Sequence, residues 1–564
     1  MIINALNFEE ASNKIVSKFL HSVVVVDDRA SLDLQTKDLK HTSDTSEPLV
    51  APTRRQRSIN ITPVDTNSDE NGVADKEGFI DSSDLDAKKL IDKFAEEGLV
   101  CAVLKPVHDE EGLNRKTDHA THKSDIVILD WQIGENEEIP GTIALALIKK
   151  IITTDSSDRL RLIAIYTSNP DLSDIVEKVK QTIKMNFETP KVDGFEISRG
   201  PIKVVIYQKY GGSGSIDPKR VVNEGELPAR LIGDFTNLTK GLLSNVALRS
   251  LGILRENTHR ILNKFTSNLD SAYIGHRILN NPPDEAENHP VPLLASELLD
   301  VLEGDSTIRD LISIDFVHKW LEYQISVGLN LDGKFEKLNH EETLDLVKVL
   351  LQDGVEKDST FNTDKPSWNS KIKKLKGGKD ADNFLTQLFS LPNATNIRER
   401  NMDFAILTTV RSKYELPAPL LTLGSIVVQD IDDSDRKYFL CIQPLCDSVR
   451  LVGNRKFSFI PLEKSIKPDK FHMVVKDRDV YVTLLTDLKP YNTVMLDFDP
   501  QDKGEIIATK DETGWIFKNS DESLKFRWIA DLKFPHAQRI ITQYSEQLGR
   551  VGLTESDWLR RMAR

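Results

Sequence analysis

Five short apolar runs, rich in valine and isoleucine, constrain most strongly what residues 22–209 can form. Segments with helical spacing separate them, and the runs have few polar interruptions. Strands that are apolar on both faces and alternate with helices indicate a parallel sheet covered on both sides. We therefore expect an α/β fold with a doubly wound, five-stranded parallel sheet. The runs are VVVV at 23–26, VCAVL at 100–104, IVIL at 126–129, LIAIY at 162–166 and IKVVIY at 202–207.

The segments between these runs divide into helices, one hairpin and one polar insertion. Residues 84–99, 140–153 and 171–183 carry helical apolar spacing, with Ser82 and Ser83 as candidate caps of the first helix. Residues 31–79 are rich in Ser, Thr, Asp, Asn and Pro and have few apolar groups. Such a composition does not offset the entropy of ordering, so this segment is interpreted as a loose insertion that can order on a partner. The segment GFEISRGPIKV at 194–204 predicts an extra hairpin.

Several of the strands end on polar side chains. Asp27 and Asp28 follow the first strand, Asp130 the third, Thr167 the fourth and Lys209 the fifth. Ligands collect at the carboxyl ends of parallel strands, so these side chains are expected to converge. Crowded carboxylates resist ionising together, and Mg²⁺ with its preference for oxygen ligands relieves that repulsion. The sequence therefore predicts a magnesium site.

The same residues suggest a covalent reaction. With the metal and Lys209 drawing off negative charge, Asp130 could attack a phosphoryl group and carry it as an acyl phosphate. Thr167 would then donate a hydrogen bond to the phosphoryl oxygen and shift the fourth strand and its loop. The alternative interpretation of the acids is a structural polar cluster at loop starts.

The motifs VVVVDD, VILDW, IAIYTS and IYQK, in this order, resemble the receiver domain of two-component response regulators over about residues 10–215. The resemblance implies a flavodoxin-like fold, phosphorylation by a histidine kinase and Mg²⁺ as cofactor. It also implies a role for each matching residue. These are Asp28 as direct metal ligand, Asp27 as its water-mediated neighbour, Asp130 as phospho-acceptor and ligand, the backbone carbonyl of Gln132 as ligand, Thr167 as switch hydroxyl and Lys209 as paired amine.

Three features depart from that family. Roughly 50 residues separate the acidic pair from the first helix, a length that loop-closure entropy tolerates. Tyr210 stands where a proline usually follows the lysine, and Ile206 stands where the switch aromatic often lies. The resemblance thus implies the phosphorylation chemistry while leaving the usual aromatic readout in question.

Beyond residue 215 the pattern changes twice, so we divide the chain into 1–215, 216–415, 416–535 and 536–564. One long helix is predicted from about Leu227 to Phe265, followed by further helices up to residue 415. Such a helix would overshoot a domain of receiver size and would have to reach a second domain or another copy of the chain. Short, evenly spaced β segments at 416–535 predict a barrel or curled antiparallel sheet, and a terminal helix follows.

Composition excludes several classes of protein. The formal charge of −14 makes nucleic acid an unexpected partner, and the three cysteines fit no zinc-ligand spacing. No run of about 18 apolar residues is present, so no membrane span is predicted and a cytoplasmic location is the default.

Together these patterns predict a signalling protein phosphorylated on Asp130, with the change relayed through the helix after Leu227 to a C-terminal output, and with that helix a possible homodimer contact. No enzymatic activity beyond this self-modification is predicted. Two alternatives remain open. One is a scaffold whose receiver-like domain only docks partners; the other is a receiver-controlled effector, for which bacterial stress or phage defence is a possible setting.

Overall fold

The computed structural model divides the chain into two compact units, Met1–Tyr323 and Gln324–Arg564. The predicted insertion at 31–79 and the last part of the predicted terminal helix lie almost wholly outside the residues that the structure describes. Those described residues are 5–32, 85–106, 115–134, 139–154, 159–186, 189–211, 217–355, 381–412, 417–430, 436–466, 470–501 and 504–549.

The first unit begins as an alternation of helices and strands and continues as helices. Its first part contains α1 (Phe8–Phe19), β1 (Ser22–Val26), α2 (Ala87–Glu96), β2 (Val100–Leu104), α3 (Arg115–Lys123), β3 (Ile126–Leu129), α4 (Thr142–Thr154), β4 (Arg161–Thr167), α5 (Leu172–Asn186), β5 (Lys191–Asp193), β6 (Glu196–Arg199), β7 (Ile202–Lys209) and β8 (Val221–Val222). Its second part contains α6 (Leu227–Thr239), α7 (Leu242–Glu256), α8 (Thr258–Leu262), α9 (Asp270–Leu279), α10 (Pro290–Glu303) and α11 (Ser306–Asp310).

The sheet of the first unit has eight strands in the order β2-β1-β3-β4-β7-β6-β5, with β8 also paired to β7. Strands β2, β1, β3, β4 and β7 pair in this order and run parallel to one another, as predicted. The predicted hairpin at 194–204 is confirmed, because β6 and β7 pair antiparallel. With β5, β6 and β8 added, the sheet is mixed and larger than the five parallel strands expected from the apolar runs.

The valine run of β1 supplies both faces of this sheet. Val23 and Val25 belong to a core shared with α1, α2 and α6, whereas Val24 and Val26 belong to a second core shared with α4 and α5. Side chains alternate between the two faces of a strand, so a strand covered on both sides must be apolar throughout. This burial explains why the run has no polar interruption.

Two helix starts differ from the sequence-based expectation. Helix α2 is capped by Asp86, whose Oδ1 accepts a hydrogen bond from Lys89 N at 2.9 Å, rather than by Ser82 or Ser83, which lie outside the described residues. Helix α1 was not predicted. It starts at a capping box formed by Asn7 and Glu10 and buries one apolar face.

The prediction of a single long helix from Leu227 to Phe265 is wrong, because the helix that starts at Leu227 ends at Thr239. Lys240 is extended, with φ −61° and ψ 116°, and α7 starts after Gly241. Asn245 of α7 donates a hydrogen bond to Ser12 of α1 at 2.9 Å. Helices α6 and α7 therefore pack on the sheet and on α1 instead of projecting as one rod.

The second unit combines helices with an antiparallel sheet. Helix α12 (Ile314–Ser326) spans the division between the units, and the elements that follow are α13 (His340–Asp353), α14 (Ala381–Leu388), α15 (Ile397–Thr409), β9 (Ser425–Asp430), β10 (Arg436–Cys441), β11 (Arg455–Lys464), β12 (Met473–Asp477), β13 (Val480–Thr486), β14 (Val494–Phe498), β15 (Thr509–Asp511), β16 (Gly514–Lys518), β17 (Lys525–Asp531) and α16 (Phe534–Leu548). The nine strands follow the order β12-β13-β11-β10-β9-β17-β16-β15, with β14 on β11. The predicted curled antiparallel sheet is confirmed. Among the helices of the described residues, none has the length and apolar character needed to cross a membrane.

The packing of α6 on the sheet can be tested by truncation of Leu231, which is fully buried. We expect Leu231→Ala to lower the free energy of unfolding by about 2–5 kcal/mol, because it leaves a cavity between α6 and the sheet. Leu243→Ala, at a position that is 61% exposed on α7, is the matched control and should change it by less than about 0.5 kcal/mol. Urea titration, monitored by hydrogen exchange of the β4 and β7 amides, measures the free energy of unfolding of both variants. Equally small losses in the two variants would contradict this packing.

Candidate functional site

Three carboxylates meet at the carboxyl ends of β1 and β3. Asp27 and Asp28 follow β1 and Asp130 follows β3, and one oxygen from each lies within 4.8 Å of the others. The side chains of Asp27 and Asp130 are buried, and that of Asp28 is half-buried. The structure thus brings together three acids that are separated by up to about a hundred residues in the sequence, because β1 and β3 are adjacent parallel strands.

Lys209 at the end of β7 is the cation beside these acids. Its Nζ lies 2.9 Å from Asp27 Oδ2 and 3.6 Å from Asp130 Oδ2, and its side chain is 3% exposed. Burial alone would lower the pKa of Lys209, but Asp130 and Asp27 outweigh it and hold the pKa above its usual range. Lys209 therefore stays charged, and one ammonium faces three carboxylates.

The pKa of Asp130 depends first on burial and then on the charges around it. Burial raises the pKa of Asp130, and the neighbouring charges of Asp27 and Asp28 raise it further, against the lowering effects of Lys209 and the Trp131 amide. The result is a pKa of about 7. A divalent cation bound to these oxygens would favour the ionised form.

The oxygens of Asp28 are oriented for a ligand that the described residues do not themselves supply. Its Oδ2 accepts a hydrogen bond from Gly134 N at 2.8 Å, which fixes the carboxylate. Its Oδ1 is buried and has no hydrogen-bond partner among the described residues. A buried unpaired carboxylate oxygen is costly unless a cation or donor satisfies it. The donor set therefore fits a hard divalent ion.

A pocket beside Asp130 joins the ends of β3 and β4. Thr167 ends β4, and its Oγ1 accepts a hydrogen bond from Asn169 N at 3.1 Å. The pocket is lined by Arg29, Asp130, Trp131, Gln132, Thr167, Ser168, Asn169 and Pro170. Gln132 is exposed at this rim, where its backbone carbonyl was expected to act as a ligand.

Sequence analysis missed the contribution of Arg29 and Asn169 to this pocket. Each directly follows a motif that had been recognised, Arg29 after the acidic pair and Asn169 after the Thr167–Ser168 pair. A cation next to two acids at a strand end was the available signal for Arg29. Asn169 gave none beyond its place in the loop.

Two of the three departures noted in the sequence, Tyr210 and Ile206, have different structural outcomes. Tyr210 is 75% exposed, whereas Ile206 is fully buried in the core shared with α4 and α5. Two tyrosines, Tyr166 and Tyr207, are instead buried on the opposite face of the sheet, beside α6. Because Trp131, beside Asp130, belongs to the core shared with α4 and α5, aromatic side chains near this site lie on both faces of the sheet.

Trp131, next to Asp130, is held by a close approach of the backbone at Gly141. Gly141 has φ +95°, and a Cβ at this position would overlap the Trp131 ring. Gly194, with φ +57°, has nothing within 4 Å of the corresponding Cβ position. Gly141 is therefore required by both its left-handed backbone and the nearby Trp131 ring, whereas Gly194 is required only by its left-handed backbone.

We expect Gly141→Ala to destabilise the first unit clearly more than Gly194→Ala. The control should cost about 1–2 kcal/mol for the left-handed backbone alone, and the Gly141 variant adds displacement of the Trp131 ring. Thermal unfolding and tryptophan fluorescence measure the difference. Equal losses with an unchanged emission maximum would contradict this role of Gly141.

The raised pKa of Asp130 predicts a pH dependence of stability in protein stripped of metal with EDTA. Since the folded state holds the proton more tightly than the unfolded state, stability should fall as pH rises from about 4 to about 7 and then level off. Asp130→Asn removes the titrating group and should remove that part of the fall. Melting temperatures between pH 5 and 8 test this, with the exposed Asp193→Asn as control. The same pH profile for wild type and Asp130→Asn would contradict it.

The comparisons with known proteins agree with this geometry. A family model described as "Response receiver domain" matches residues 19–214, which include all three carboxylates, Thr167 and Lys209. The search of curated proteins gave no match. The resemblance predicted from the four motifs is confirmed by this match to the receiver-domain family over residues 19–214.

Proposed function

We propose that this protein is a response-regulator-like signalling protein that accepts a phosphoryl group on Asp130 from a histidine kinase, in the cytoplasm. The observation that carries the proposal is the meeting of Asp27, Asp28, Asp130 and Lys209 beside a pocket lined by Thr167, within a receiver domain. The five parallel strands β2-β1-β3-β4-β7 would form the flavodoxin-like part of the mixed sheet.

Mg²⁺ is the proposed cofactor. Asp28, Asp130 and the Gln132 carbonyl would hold it directly, and Asp27 would do so through a water molecule. The unpaired Asp28 oxygen and the oxygen-only donor set support this assignment. When bound, the ion neutralises charge on the carboxylates and on the incoming phosphoryl oxygens.

The chain's own residues would carry out the transfer to Asp130. A carboxylate oxygen attacks phosphorus, the phosphorus–nitrogen bond of the donor phosphohistidine breaks, and the imidazole nitrogen leaves with the electron pair. Lys209 offsets the charge of the acyl phosphate, and the Thr167 hydroxyl donates to a phosphoryl oxygen. Arg29, at the pocket rim, adds a second cation.

The output would pass through α6 and α7, since α6 packs on the sheet that ends in the site. This replaces the rod-like helix expected from the sequence. We expect no turnover of a separate substrate by the receiver domain. Exposed apolar residues such as Ile278 and Val291, on α9 and α10, are compatible with a second copy of the chain as partner.

The direct test is labelling of the full chain with radioactive acetyl phosphate and Mg²⁺. We expect wild type and Asp193→Asn to acquire alkali-labile phosphate, and Asp130→Asn to acquire none, because Asp130 is the one acid among the described residues that adjoins both Lys209 and the pocket. EDTA should abolish labelling. Asp28→Asn should weaken Mg²⁺ binding, followed by Trp131 fluorescence, by at least about tenfold.

The outcomes separate the parts of the proposal. Saturable Mg²⁺ binding with no labelling from acetyl phosphate or from a kinase encoded beside the gene would favour a docking platform. Labelling from acetyl phosphate alone would overturn the kinase as donor while leaving the Asp130 chemistry intact. Equal labelling of Asp130→Asn would overturn the assignment of the acceptor.

A further inference from the structure

Tyr166 touches both the site and the structure that leads to α6. It directly precedes Thr167 on β4 and is 1% exposed. The Nζ of Lys209 lies over its ring, 5.8 Å from the centroid, within the range of a cation–π interaction. Its hydroxyl donates to the carbonyl oxygen of Val222 at 2.8 Å. One side chain thus contacts the ammonium of the site and the backbone of β8.

The backbone from Val222 to α6 is short and constrained. Val222 pairs with Lys209 in the parallel ladder of β8 and β7. The side-chain oxygen of Asn223 then accepts hydrogen bonds from the backbone N–H groups of Gly225 and Glu226, at 2.9 and 3.1 Å. Helix α6 starts at Leu227, directly after Glu226, so a displacement of Val222 would be transmitted to the N-terminus of α6.

A second tyrosine holds α6 further along. Tyr207 lies opposite Tyr166 in the β4–β7 register. Its hydroxyl donates to Asp234 Oδ2 of α6 at 2.5 Å and accepts from Arg230 Nε at 3.3 Å. Tyr207 thus anchors α6, and the guanidinium groups of Arg220 and Arg230 lie over its ring at 5.4 and 5.8 Å.

The distances from the Lys209 ammonium to Asp27 and Asp130 indicate that the ammonium would shift when Asp130 is phosphorylated. Its ammonium is closer to Asp27, at 2.9 Å, than to Asp130, at 3.6 Å. A phosphoryl group on Asp130 adds negative charge beside the ammonium and competes with Asp27 for it. A shift of Nζ changes its position over the Tyr166 ring, because the attraction depends on the ammonium facing the ring.

We propose that Tyr166 is a positioning residue for Lys209 and that its hydroxyl, through Val222, couples the phosphorylation state of Asp130 to α6. This inference rests on the proposed function. It assigns the readout to the α6 face of the sheet, whereas Ile206 occupies the position of the usual aromatic on the other face. The Tyr166 ring orients the Lys209 amine, and the Tyr166 hydroxyl transmits the phosphorylation state of Asp130 to α6.

Two substitutions at residue 166 separate the ring from the hydroxyl in the full chain. Tyr166→Leu removes the ring and should slow labelling by acetyl phosphate about three- to thirtyfold. Tyr166→Phe keeps the ring and should restore the rate to within about twofold of wild type. Tyr207→Leu is the matched control, since it removes a buried ring of the same core that lies against Arg220 and Arg230, and it should label at the wild-type rate.

Hydrogen exchange of residues 223–239, with and without beryllofluoride and Mg²⁺ as a stable mimic of the acyl phosphate, tests the hydroxyl. Wild type should change its exchange in this segment, and Tyr166→Phe should lose at least half of the change while still binding the mimic. Equal labelling rates for Tyr166→Leu and wild type would overturn the positioning role, as would equal slowing by Tyr207→Leu. An undiminished exchange response in Tyr166→Phe would overturn the coupling. Absence of labelling in wild type would instead overturn the proposed function, and this inference with it.

Discussion

The concentration of three carboxylates around one buried ammonium is the interaction on which the first unit depends. Lys209 is 2.9 Å from Asp27 and within reach of Asp130, yet it offsets only one of the three negative charges. Such a group of charges is unfavourable in a buried place unless something else binds there. The cluster therefore has the oxygen donors that a hard divalent cation requires.

The sheet that holds these charges is completed by elements outside the receiver match. The match ends at residue 214, but Leu227, Leu231 and Phe235 of α6 are buried in the same core as the strands. Helix α7 in turn packs on α1, which precedes the match. The residues of the match are therefore embedded in a larger unit, and α6 and α7, which follow the match, contribute to the same core.

Much of this arrangement was predictable because apolar runs and strand-end acids obey local rules. Parallel strands covered on both faces must be apolar, and their carboxyl ends must converge, so Asp27, Asp130 and Lys209 could be brought together without coordinates. The break at Gly241 was not predictable, because the apolar spacing continues across it and only packing on α1 decides it. The sequence did not indicate on which face of the sheet Tyr166 and Tyr207 lie, because side chains on both faces of a doubly covered strand are equally buried.

The most direct measurement of the central claim is the position of a metal ion in a crystal of the full chain grown with Mn²⁺, which favours the same carboxylate and carbonyl ligands as Mg²⁺. We expect one anomalous scattering peak in the first unit, from an ion bonded to carboxylate oxygens of Asp28 and Asp130 at roughly 2.1 Å. An anomalous map with no peak at these oxygens, from a crystal grown at an Mn²⁺ concentration that fills other sites on the protein, would contradict this metal site.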